Sequence, residues 1–136
     1  MPIRISSTAG GLAHAPVFVG KILNTDVVNV DISDLTTNEV DADGYLKPGV
    51  PFAKDGSLVG SGVAVWGVTI EPIKLPHATI PPTNTSLGND TGTCPVAVGF
   101  GMVNRDIAED NLGRAYTADE IAGFALAGST CQLTRT

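Results

Sequence analysis

Apolar residues alternate with small or polar ones in four stretches of this chain, which is the two-residue period of a strand. The first runs from Val17 to Leu23, with Val17, Val19 and Leu23 set against Phe18 and Ile22. The second, Asp26 to Ile32, puts Val28, Val30 and Ile32 on one face and Asn29 and Asp31 on the other, and Asn24-Thr25 between the two reads as a hairpin turn. The third places Ala64, Trp66, Val68 and Ile70 on one face and Val65, Gly67, Thr69 and Glu71 on the other. In the fourth, Cys94, Val96, Val98, Phe100 and Met102 form a large face, and Pro95, Ala97, Gly99 and Gly101 a small one that leaves room for a close backbone neighbour.

Between the second and third stretches lies Tyr45 to Gly56, around which the chain is organised. Pro48-Gly49 is a tight turn, Val50 to Ala53 a short apolar run, and Asp55-Gly56 a hairpin-type turn leading into Leu58-Val59, with Asp43-Gly44 a further turn upstream. Turns this close together allow only short strands. The period changes near the C-terminus. Asn104 to Asn111 is compatible with a short helix stopped by Gly113, and Thr117-Ala118-Asp119-Glu120 is a capping box that opens a helix over about 118–127, with Ile121, Phe124 and Ala125 on its apolar face and Gly128 after its end. Cys131 and Leu133 suggest a closing strand. The expected fold is mainly β with a small helical part: a β-rich, barrel-like body with one short C-terminal helix.

Residues 1–16 read as an extended N-terminal arm, rich in small residues and glycine, in which Ile3 and Ile5 could add a strand to another molecule. Residues 17–136 form a single domain, with 76–93 as a long polar loop insertion. With 136 residues the chain has the size of one domain, and its 16 glycines and 9 prolines favour turns over long helices. Eight basic against 14 acidic residues give a net charge of −6, which provides no electrostatic basis for binding nucleic acid. No apolar run approaches the roughly 20 residues of a membrane span, and the N-terminus has no secretory pattern, so synthesis in the cytoplasm is expected.

Candidate chemistry is sparse. Asp31, Asp34, Glu39, Asp41 and Asp43 form an acidic loop without calcium-ligand spacing, read as solvated. His14 and His77 lie in polar, turn-rich segments with no second ligand at a suitable spacing. Cys94 and Cys131 are read either as buried thiols or as one bridge between the C-terminus and a core strand. No nucleophile motif, metal-ligand cluster or complete phosphate-binding glycine pattern is present, so neither an enzyme nor a cofactor is expected. Trp66 is the single tryptophan, and Phe52, Trp66 and Phe100 are candidate anchors of an interface between subunits.

Leu46-Lys47-Pro48-Gly49, followed by Asp55-Gly56, resembles the L-K-x-G-x-x-x-x-x-D-G signature of the lambda-like bacteriophage head decoration proteins, the capsid cement family. The later order is also similar: a Gly-Val step in Trp66-Gly67-Val68, an insertion, a valine-rich strand from Cys94 to Val103, then a helical segment. The resemblance spans about residues 17–134, and its specific part is the central dozen. It implies a homotrimer on the outside of an expanded icosahedral head, bound to the major capsid protein and stabilising the shell against the pressure of packaged DNA. It also implies that the arm, Pro2, Ile3, Arg4, Ile5 and Ser6, orders on the capsid, and that no catalysis, cofactor, nucleic acid or membrane is involved. A phage tail or fibre-tip module using the 76–93 loop for a receptor or glycan is the alternative, and a small hydrolase built on His14 or His77 a third reading.

Overall fold

The computed structural model describes residues 16–75, 93–128 and 130–134. In chain order these form β1 (Asn24–Asp31), a 3-10 turn (Ile32–Asp34), β2 (Tyr45–Leu46), β3 (Pro51–Phe52), β4 (Gly67–Thr69), β5 (Ile73–Lys74), β6 (Thr93–Val103), α1 (Arg105–Leu112), α2 (Ala118–Ala127) and β7 (Cys131–Leu133). The arm residues Pro2 to Ser6, both histidines and the loop 76–92 lie outside the described residues. The fold is mainly β with a small helical part, as expected, but with two short helices.

The main sheet has the order β1-β6-β4-β3, with β7 added to β6, and β2 pairs with β5 separately. The expected barrel-like closure is not found. β3 is two residues long, and the turn after it reaches β1 through the Gly56 backbone, while the Gly56 N–H donates to the Ala53 carbonyl. That approach is a packing contact, not a ladder, and the sheet stays open.

The expected hairpin at Asn24-Thr25 is not formed either. Both residues belong to β1, which runs antiparallel to β6 from Asn24 opposite Phe100 to Asp31 opposite Thr93. The preceding segment follows the same side of β6: Phe18 bridges to Val103, Val19 N–H donates to the Met102 carbonyl, and Leu23 N–H donates to the Phe100 carbonyl. An eleven-residue strand offers one continuous partner to both apolar stretches, so no reversal is needed. Val28, Val30 and Ile32 are buried as expected.

β6 changes its buried side partway along. Cys94, Val96 and Val98 are buried on one face; from Gly99 onward Gly99, Gly101 and Val103 are buried, while Phe100 is half-buried and Met102 is 43% exposed. The expected large face is therefore core only in its first half. The cause is the small face: a Cβ on Gly99 would lie 3.0 Å from the Phe18 ring and 3.1 Å from Ile22, so those side chains cover β6 where it has none of its own. The small face is closely approached at Gly99, by the Phe18 and Ile22 side chains rather than by a backbone neighbour, and this moves the core across the strand.

The third alternating stretch is a strand only over Gly67–Thr69, where all three residues are buried, so Ala64, Trp66, Val68 and Ile70 do not form one core face. A Cβ on Gly67 would lie 2.6 Å from a Val98 methyl, and the Thr69 hydroxyl accepts from Val50 N–H and donates to the Lys47 carbonyl. Strand β4 is thus enclosed on both sides, and a two-faced pattern cannot describe it.

The two helices are fastened to the segment 36–49 by polar contacts. Gly113 ends α1 and Thr117 and Glu120 form the capping box of α2, as read from the sequence, while Asn104, expected inside the first helix, is its N-cap. Lys47 Nζ donates to the Thr37 and Leu112 carbonyls (3.2 and 2.8 Å), and the Tyr116 hydroxyl donates to the Gly49 carbonyl at 2.7 Å. Arg114 grips Glu120 with two hydrogen bonds (2.8 and 3.1 Å) and lies 3.9 Å from Glu39. Glu39 is buried, not solvated as the acidic-loop reading has it, because its carboxylate accepts from the Thr36 N–H and hydroxyl beneath Arg114. Cys94 and Cys131 are free and buried; Cys94 is opposite Val30 and Cys131 opposite Gly101, seven residues apart along β6. At about 3.3 Å per residue that separation excludes a bridge. Burial pushes the Cys131 thiol up to about 12.

Two stability effects are expected. Arg114→Met strands the Glu39 and Glu120 carboxylates and should cost about 3 kcal/mol by denaturant unfolding. Gly56 has φ +90°, and a Cβ there would lie 1.9 Å from the Asn29 carbonyl oxygen, whereas at Gly62 (φ +76°) nothing stands within 4 Å. Gly62→Ala should therefore cost about 1 kcal/mol of backbone strain, and Gly56→Ala at least ~2 kcal/mol more. Equal midpoints for the two alanine variants would contradict the close approach.

Candidate interaction surface

The half of β6 that the core leaves uncovered carries the most distinctive surface of the described residues. The Phe100 ring meets Trp66 edge to face, with centroids 4.8 Å apart and an interplanar angle of 73°. Trp66 Nε1–H donates to Asp26 Oδ2 at 2.9 Å, and Lys54 Nζ lies 5.0 Å from the indole centroid. The indole hydrogen bond, followed by one from Val27 N–H, holds the Asp26 carboxyl below the usual carboxylate range. Trp66 and Phe100 are each half-buried.

Apolar side chains continue this patch. Val19 (45% exposed) and Leu23 (71% exposed) are tied by backbone hydrogen bonds to Met102 and Phe100 respectively. Met102 also lines an open cleft of about 580 Å³ with Ile121, Phe124 and Leu133, and Arg105 lies at the same cleft. Trp66 and Phe100, two of the three anchors read from the sequence, are thus brought together with part of their rings accessible. Phe52, the third, is fully buried and packs in the core, opposite Gly67, where it has no surface to offer a partner.

Val19, Leu23, Met102, Asp26 and Lys54 were not legible as members of this patch. The large-small alternation of β6 put Met102 on the same packed face as Cys94, Val96 and Val98, and only the covering of Gly99 by Phe18 and Ile22 accounts for its exposure. What the patch offers is apolar and aromatic area with one carboxylate and one ammonium beside it, the chemistry of adhesion between protein surfaces. Among the described residues no three His, Cys, Asp or Glu side chains gather at metal-binding distances. Comparison with protein-family models, with curated proteins and with solved structures finds no match.

Trp66→Phe removes the indole donor but keeps a ring against Phe100. Asp26 should then titrate closer to 3.8, as followed by NMR of its carboxyl carbon. Because its folded value is lowered, the stabilisation it confers is present above pH 3.8 and is lost as pH falls through the folded value; the variant should lose part of that acid-sensitive component.

Proposed function

We propose that this chain is a head decoration protein that binds the outside of an expanded phage capsid as a trimer and stabilises the shell against internal DNA pressure. The observation that carries this reading is the Trp66–Phe100 patch, an aromatic pair bordered by exposed Val19, Leu23 and Met102 on a rigid sheet. Aromatic and methionine side chains of this kind, partly desolvated before any partner arrives, supply most of the energy of protein–protein contacts. The signature-like stretch 46–56 supports it further, since its residues hold this body together: Lys47 clamps α1, Gly49 receives Tyr116, and Gly56 packs on β1. On this reading the major capsid protein and two further copies of the chain are the partners, and Pro2 to Ser6 add to a strand of the capsid.

Co-sedimentation of the purified protein with expanded heads lacking decoration, viewed by electron microscopy, tests the reading. Density at the local three-fold positions is expected, with binding weakened on the order of tenfold or more by Trp66→Ala or Phe100→Ala and by deletion of residues 2–15. Absence of binding to every capsid form, together with loss of phage adsorption when residues 76–93 are replaced by a Gly-Ser linker, would instead favour a tail or fibre-tip module.

A further inference from the structure

Residues 16–23 lie along β6 just ahead of β1, but they are joined to it differently. β1 pairs with β6 over all eight of its residues, from Asn24 opposite Phe100 to Asp31 opposite Thr93. The segment before it is held by three backbone hydrogen bonds: Asn104 N–H donates to the Val17 carbonyl at 2.7 Å, Val19 N–H to the Met102 carbonyl at 2.8 Å, and Leu23 N–H to the Phe100 carbonyl at 2.8 Å. Gly20 breaks the run in its middle. Its φ is +69°, outside the extended range of a strand, and a Cβ there would meet nothing within 4 Å. Val17 and Phe18 are buried and Ile22 is half-buried, whereas Val19, Gly20, Lys21 and Leu23 are exposed. Beneath the segment is a hollow of about 240 Å³, bounded by Val17, Phe18 and Ile22 on one side and by Ile70 and Glu71 on the other. Few backbone bonds, many exposed side chains and loose packing underneath mark a segment that opens at a lower free energy than the sheet it rests on.

The same segment assembles the patch around Trp66 and Phe100. Val19 and Leu23 are two of its exposed apolar side chains, and their N–H groups are the ones bonded to the Met102 and Phe100 carbonyls. Phe18 and Ile22 cover Gly99, and Phe18 also lies 3.4 Å from where a Cβ on Gly101 would stand. We infer that residues 16–23 are a strap that opens as a unit from an otherwise intact sheet, and that the apolar patch is complete only while the strap is seated. Opening carries Val19 and Leu23 away, frees the two carbonyls and uncovers Gly99 and Gly101. A partner that needs the whole patch then meets only the seated fraction of molecules, so its apparent affinity is reduced by that fraction, and its binding in turn holds the strap shut. The strap is a property of the free protein; its bearing on capsid attachment rests on the function proposed above.

Amide exchange of the full chain, without any partner, tests the strap. The Val19, Leu23 and Asn104 amides should share one level of protection, on the order of tenfold or more below that of the β1–β6 ladder. Gly20→Ala adds a methyl that meets nothing, so it acts through left-handed backbone strain alone. It should speed those three amides on the order of tenfold and leave the ladder amides unchanged. Phe18→Ala keeps Trp66 and Phe100 but removes the anchor. It should speed the three amides on the order of a hundredfold, move the Met102 methyl signal, and weaken binding to expanded heads. Gly20→Ala serves if Phe18→Ala does not fold. Wild-type strap amides that exchange only together with the ladder, or a Gly20→Ala effect spread equally over both, would overturn the strap. Fast strap exchange in Phe18→Ala with the Met102 signal and head binding both unchanged would overturn its role in the patch. Wild-type protein that binds no heads would instead remove the capsid reading, while exchange and the Met102 signal still decide the strap.

Discussion

The structure depends on β6 being shared by everything else. One side of its backbone takes Val17 to Asp31 almost without interruption, and the other takes β4 and then β7. A strand with neighbours on both edges and large side chains on one face would ordinarily have one core. Here it has two half-cores, because Gly99 and Gly101 let Phe18 and Ile22 settle on the second face. The core crosses the strand near Val98 and Gly99, both buried, and that crossing turns Phe100 and Met102 outward.

The helices are held to this sheet by a different kind of interaction. α1 and α2 are short, and helices of eight and ten residues are marginal without tertiary support. Lys47 and Tyr116 supply it by donating to carbonyls of distant parts of the chain, and Arg114 by bonding Glu120 while pairing with the distant Glu39. Such contacts are directional, so they fix where the helices sit; removing one member leaves its partners buried without compensation. The burial that makes this network specific also pushes the Tyr116 hydroxyl well above its usual range, keeping it a donor at all ordinary pH values.

Much of the local structure was legible in the sequence. The capping box at Thr117 and Glu120, the Gly113 stop, the turns of the central stretch and the buried Val28, Val30 and Ile32 are decided by interactions within a few residues, and a mainly β body with a small helical part follows from them. Tertiary structure alone decided what depends on partners distant along the chain. Asn24-Thr25 looks like a turn until β6 offers it a ladder; Glu39 looks solvated until Arg114 covers it; Phe52 and Phe100 look equivalent until one is enclosed at β4 and the other is left half-buried against Trp66. Periodicity states that a strand has two faces. Which face is buried, and where along the strand that choice reverses, depends on what packs against each glycine, and a glycine carries no side chain from which the packing could be read.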